Sequence, residues 1–190
     1  MVLSAAGALS LLALGCGVAR AGPTGEPSPA LRTRMATALR APTDFPNRFD
    51  AKVWLLDMSN RLKRYMPDAT KRLHFLRILH QEAVQAGVSP ELALAVIQIE
   101  SDFQRFAISA SGAEGYMQIM PFWIEEIGGK GDNLFHTRTN LRMGCTILRY
   151  YLDQTHDDWV RALALYNGSA GRADYPYKVL QALNSHWSPG

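Results

Sequence analysis

The sequence predicts an all-α fold, a single domain of several short helices with no substantial sheet. Three observations carry that expectation. From Asn47 onward, large apolar residues recur at the three- and four-residue spacing of a buried helix face. Helix starts and stops stand between these segments: Gly87 ends one, Ser89-Pro90-Glu91 opens the next, and Asn167-Gly168 closes a later one. No stretch alternates apolar and polar residues as a half-buried strand would. The 190 residues suffice for one core and fall short of two ordinary domains.

Val53, Leu56 and Asn60, with Trp54 and Met58, mark a first helix that ends before Pro67. Leu73, Leu76, Leu79 and Ala83 mark a second, stopped at Gly87, where a glycine can take the left-handed cap. Ser89 caps the third, Pro90 occupies its first turn and Glu91 meets the positive end of its dipole. That helix, 91–101, is apolar nearly all round (Leu92, Ala93, Leu94, Ala95, Val96, Ile97, Ile99), so it belongs in the middle of the fold. A loop at 103–115 contains Gly112 and Gly115, and a short helix spans 121–127 before Gly128-Gly129-Lys130-Gly131. A long helix at 140–154 carries the stripe Leu141, Cys145, Leu148 and Leu152. Asp157 is the expected cap of the next helix, striped by Trp159, Leu163 and Tyr166. The last helix begins near Pro176 and carries Leu180, Leu183 and Trp187.

The N-terminus reads as an export signal. Residues 1–14 are small and apolar, too short to span a bilayer, and Ala19-Arg20-Ala21 is a cleavage pattern. Residues 1–21 are therefore expected to be removed on the way to the periplasm. No Lys or Arg precedes the apolar run. Cys16 would be a lipid-anchor site only on a minority reading, because Ala13-Leu14-Gly15 fits such a site poorly. Residues 22–46, with five prolines, read as a flexible linker containing one short helical turn near 31–40. Residues 47–72 are expected to form a helical extension before the main domain at 73–187.

The full chain carries net charge +3; without Arg20 it is 3 − 1 = +2, a mild excess suited to a polyanionic partner. Nothing interleaves basic clusters with aromatics as a nucleic-acid module does. Cys145 lies on an apolar stripe, as a small core residue does. His74 and His80 do not share a helix face, His136 and His156 read as solvent or capping residues, and no metal-ligand spacing appears. Neither a metal nor a cofactor is expected.

Glu100 is the residue with chemistry in it. It follows Val96 and Ile97 by four and three residues and so shares the apolar face of its helix. A carboxylate there is either paired, with Arg105 or Arg142 as candidates, or kept protonated by desolvation. Its place at the helix C-terminus adds a second influence, since the dipole's negative end disfavours the anion. Both push its pKa upward, as a general acid requires.

Four short runs surround this residue in order: Glu100-Ser101, then Gly115-Tyr116-Met117-Gln118, then Asn140-Leu141-Arg142-Met143-Gly144, then Ala164-Leu165-Tyr166-Asn167-Gly168. Together they resemble the soluble-type lytic transglycosylase domain, a module with a goose-type-lysozyme-like fold, and the resemblance covers 73–187. One run alone is weak; four in order and spacing are specific. The resemblance implies that Glu100 is the catalytic acid/base and that Ser101 orients the sugar N-acetyl group or the acid. It implies that Met117, Gln118, Tyr166, Asn167 and Tyr175 contact substrate, with Tyr166 of the fourth run approaching the acid. Tyr116 replaces a common Leu, Leu165 a usual Ala, and 167–171 departs from the usual Asn-x-Gly spacing.

No second carboxylate stands out. Asp102, two residues from Glu100, would point elsewhere on a helix, and Glu114, Glu125 and Glu126 fall on loop or surface positions. The resemblance implies cleavage between N-acetylmuramic acid and N-acetylglucosamine with 1,6-anhydromuramoyl ends, on peptidoglycan glycan strands; cell-envelope assembly proteins are the further partners it allows. The alternatives are a lysozyme-type hydrolase and a wall-binding accessory protein without activity.

Overall fold

The computed structural model describes residues 48–129 and 131–188. The expected signal segment 1–21, Cys16 and the linker 22–46 lie outside the described residues. Among the described residues seven α-helices follow one another: α1 (Arg48–Leu62), α2 (Ala69–Ala86), α3 (Pro90–Ser101), α4 (Phe122–Ile127), α5 (Thr137–Gln154), α6 (Trp159–Tyr166) and α7 (Asp174–Ala182), the last running into a π-helical turn, Leu183–Trp187. Among the described residues, β pairing is confined to two isolated bridges, Ile108 with Glu114 and Glu114 with Ile119. The all-α fold expected from the sequence is what the chain adopts. No helix of the described residues is long and apolar enough to cross a membrane.

The punctuation at α2 and α3 works as its chemistry dictates. Asp68 accepts the Thr70 and Lys71 N–H groups (2.9 and 3.0 Å), and left-handed Gly87 closes α2. Ser89 Oγ accepts the Leu92 N–H at 3.2 Å and donates to Glu91 Oε2 at 2.6 Å. Residues 92–97 of α3 are fully enclosed. This helix packs against α2, α7 and the π turn, while α2 packs on α5 and α5 on α6. An aromatic cluster of Tyr65, Phe75, Phe103, Tyr116 and Trp187 joins the end of α1, α2, the loop after α3 and the π turn. Arg61 donates to the His186 and Ser188 carbonyls (3.0 and 2.9 Å), and Trp54 Nε1 to Glu91 Oε1 (2.6 Å), so α1 is bonded to the body.

Four local expectations change. In α1 the buried register is Met58 and Leu62, with Trp54 and Leu55 packed beside them, while Val53 and Leu56 are exposed. A helix with apolar residues on two faces does not reveal which one meets the core. Trp159 is likewise exposed, and Leu163 and Tyr166 carry the α6 stripe with Ala162. Asp158, not Asp157, caps α6 by accepting the Arg161 N–H (3.1 Å); Asp157 is left-handed and binds Arg149 at 2.5 Å. Finally, α5 and α7 start three and two residues before the expected positions, at Thr137 and Asp174. Their first residues are polar and carry no periodic signal, and Pro176 is accommodated because a first-turn N–H has no intrahelical partner anyway.

One charged cluster crosses the α2–α5 contact. The Glu82 side chain is enclosed, and its carboxylate meets Arg142 Nε at 2.8 Å and Arg138 at 2.5 Å. Removing one partner of a buried pair strands the rest. Glu82→Ala is therefore expected to lower unfolding free energy by about 3 kcal/mol in urea titrations, and Arg138→Ala, on the more exposed arm, by less.

Candidate active site

Glu100 and Ser101 are the last two residues of α3, and the chain turns at once through two left-handed residues, Asp102 (φ 51°) and Phe103 (φ 61°). The turn sends Phe103 into the aromatic cluster and leaves Glu100 on the wall of an open cavity of about 630 Å³. Ser101 and Gln118 line that cavity, with Gln98, Asp102 and Lys178. A recess of about 100 Å³, lined by Asn167 and Tyr175, adjoins it and shares Ile99 and Lys178 with it. Tyr175 Oη donates to Glu100 Oε1 at 2.6 Å, and both side chains are buried. The arginines considered as structural partners are engaged elsewhere: Arg142 holds Glu82, and Arg105 Nε donates to the Phe135 carbonyl at 2.7 Å.

The loop facing Glu100 is built around the backbone of Met117. Its N–H donates to Asn140 Oδ1 (2.8 Å), and its carbonyl accepts from Tyr166 Oη (2.8 Å). Asn140 Nδ2 also donates to the Glu114 carbonyl (2.9 Å), so one buried amide of α5 holds two points of the loop. Ser101 Oγ donates to the Tyr116 carbonyl at 2.7 Å and ties the same loop to the end of α3. Space is as tightly used as polarity. A Cβ on Gly144 would lie 2.3 Å from Met117 Sδ, and one on Gly115, whose φ is +76°, would lie 2.7 Å from the Leu134 carbonyl oxygen. Gln118 is left-handed (φ 49°) and spends its amide on the Gly115 and Ala107 carbonyls (3.0 and 3.2 Å) while still lining the cavity.

The residues implicated by sequence thus fall into two groups. Glu100, Ser101, Gln118, Asn167 and Tyr175 line the cavity or its recess. The Met117 and Tyr166 side chains are enclosed in the core, where they support the loop under Glu100. Burial pushes the Tyr166 phenol well up, and the Glu100 charge adds to the effect, so this hydroxyl stays a donor to Met117. Burial likewise pushes the Cys145 thiol up, which keeps it an inert core group. Asp102 departs from its expected position. It is not helical, and its left-handed backbone leaves it exposed on the same cavity as Glu100. Glu114, Glu125 and Glu126 are not among the residues lining that cavity.

Sequence reasoning did not single out Asn140, Gly144 or Lys178 as parts of the site. Asn140 and Gly144 stood in the third run, at the spacing that puts them on one helix face. Their partners lie more than twenty residues away and no local pattern indicates them.

An all-α domain with a buried glutamic acid at a helix end, bonded to a tyrosine beside an open cleft, is equipped for acid–base work on an extended substrate. Residues 77–181 match the transglycosylase SLT domain, so the chain belongs to that family. It is 31% identical over 118 residues to a membrane-bound lytic murein transglycosylase C from Photorhabdus laumondii, covering 53% of this chain and 33% of that protein. It is 33% identical over 94 residues to a soluble lytic murein transglycosylase from Salmonella typhimurium, covering 45% of this chain and 14% of that one. The chain therefore spans a third or less of the length of these relatives. Among solved structures, the 70 kDa soluble lytic transglycosylase in complex with bulgecin A aligns with 72% of this chain and 23% of its own, at 22% identity and a TM-score of 0.46.

Replacing Asn140 by Ala leaves the buried Met117 N–H without its partner and takes one of two donors from the Glu114 carbonyl, which keeps the Ile119 N–H at 3.0 Å. The variant is expected to lose about 2 kcal/mol or more of stability in urea titrations. Its proteolysis in the 107–120 loop should quicken as well; an unchanged cleavage pattern would show that the amide does not hold the loop.

Proposed function

We propose that this protein is a peptidoglycan lytic transglycosylase that cuts the β-1,4 bond between N-acetylmuramic acid and N-acetylglucosamine and leaves 1,6-anhydromuramoyl ends. The observation that carries the reading is Glu100: a buried carboxyl at a helix end, hydrogen-bonded to Tyr175, on the wall of an open cavity, in a chain of the SLT family. The curated relatives named as lytic murein transglycosylases support the substrate class. Residues 1–21 support export, so the substrate would be met in the periplasm.

Glu100 is buried at the carbonyl end of α3, and its Oε1 accepts the Tyr175 hydroxyl at 2.6 Å, which holds the carboxyl where it can give up a proton and take one back. In the first half of the reaction Glu100 donates its proton to the bridging oxygen, the C1–O bond breaks, and positive charge develops at C1. In the second, the Glu100 carboxylate takes the proton of the muramoyl C6 hydroxyl as that oxygen bonds to C1. The substrate supplies its own nucleophile and no water enters the product. Ser101 and Tyr175 are positioning residues in this scheme: one fixes the facing loop, the other the carboxyl rotamer.

A second reading has one specific observation in its favour. Asp102 lines the same cavity, so a carboxylate is present that could activate water for a lysozyme-type hydrolysis. Mass spectrometry of digested sacculi separates the two. The transglycosylase reading expects anhydro ends from the wild type and from Asp102→Asn; reducing muramic ends that disappear in Asp102→Asn would establish hydrolysis instead. Glu100→Gln is expected to lower turnover at least about a hundredfold. Tyr175→Phe should lower kcat about tenfold, because it removes the hydrogen bond to the acid.

A further inference from the structure

Gln98, Gln104 and Gln118 line the cavity at Glu100, and two of them are fixed by hydrogen bonds in opposite senses. Gln118 spends its amide N–H groups on the Gly115 and Ala107 carbonyls, which leaves its oxygen to the cavity. Gln98, on α3, is the reverse. Its Oε1 accepts the Trp187 indole N–H at 2.8 Å. An indole N–H only donates, so the atom it meets must be the amide oxygen, and that settles which way round the amide stands. Among the described residues Gln98 Nε2 has no hydrogen-bond partner, and it is not enclosed. Its two N–H groups are what Gln98 has left to offer the cavity. The Ser101 hydroxyl, by contrast, is already given to the Tyr116 carbonyl.

The lock on Gln98 is built from outside the matched segment 77–181. Trp187 is fully enclosed at the end of the π-helical turn, against Tyr65 and Phe103. Arg61 of α1 holds that turn by donating to the His186 and Ser188 carbonyls on either side of Trp187, and Asp57 holds Arg61 at 2.8 Å. Such π turns are uncommon and concentrate at functional sites. The first helix and the last turn therefore reach the cleft through one amide. Two donors without an acceptor suit an oxygen that only accepts. A sugar hydroxyl has a proton of its own to place; the carbonyl of an acetamido group has none. Resting on the glycan-cleaving reading, we propose that Gln98 is a specificity residue whose Nε2 binds an acetamido carbonyl of the glycan strand, with Trp187 as the positioning residue that holds its amide in the donating sense.

Gln98→Glu tests this with little disturbance, since the variant keeps an oxygen for the Trp187 N–H and replaces the donating side by an accepting one. Calorimetric titration compares N-acetylated chitotetraose with its de-acetylated form, neither of which carries peptide. Glu100 and Asp102 are common to both proteins, so the ratio of the two affinities isolates position 98. The wild type should favour the acetylated oligomer. Gln98→Glu should lower that ratio about tenfold or more, because a carboxylate suits the ammonium groups of the de-acetylated form instead. Trp187→Phe, which lets the amide turn over, should lower the ratio part of the way with no atom changed at position 98. The same ratio in wild type and Gln98→Glu, or no wild-type affinity for the acetylated oligomer, would overturn the proposal; an unchanged ratio in Trp187→Phe would overturn the lock. No bond need be cut in this titration. A wild type that binds with this preference yet cuts no strand contradicts the enzymatic reading and leaves the role of Gln98 standing.

Discussion

A carboxyl group at the carbonyl end of an apolar helix is the constraint around which the rest of this structure is arranged. Nothing about packing α3 requires an acid at its last turn, and a leucine there would cost less to bury. Retaining Glu100 on that face requires a donor to satisfy it, and the Tyr175 hydroxyl arrives from α7, 75 residues along the chain. It also requires an opening, which the two left-handed residues after Ser101 provide by turning the chain away. The contact of α3 with α7 and the bend at Asp102 together place one acid at the edge of a core.

The loop opposite is held by polar groups rather than by apolar bulk. Met117 is fixed through both of its backbone polar groups, by Asn140 of α5 and Tyr166 of α6, and its side chain fills the space left by Gly144. Ser101 closes the circuit back to α3. Four elements thus meet under the carboxyl through hydrogen bonds that leave little freedom. The geometry at Glu100 depends on a scaffold whose members mostly never reach the cavity.

Most of the helices, and the place of Glu100 on the apolar face at a helix end, are legible in the sequence because they rest on local chemistry. Ser89-Pro90-Glu91, Gly87 and the enclosed run 92–97 are written within single helices. What escaped reading depended on distant partners. Val53 and Leu56 looked like a core stripe until α2 and the π turn took the Met58–Leu62 face. Asp102 was placed by helical geometry, and one left-handed residue moved it into the cavity. The enclosure of Met117 and Tyr166 follows from contacts across 49 residues, which no periodicity encodes. Asp157 and Asp158 are adjacent and equally good caps, and the choice between them was made by Arg149.

The claim that everything else serves is that Glu100 acts alone, as acid and then as base. A crystal structure of the Glu100→Gln protein with a bound peptidoglycan tetrasaccharide tests it most directly. The expected result is the residue 100 side chain within about 3 Å of the bridging oxygen, with the muramoyl C6 hydroxyl close to it and no water held between Asp102 and C1. A scissile oxygen facing another carboxyl, or a water poised on Asp102 at the opposite face of the ring, would contradict it.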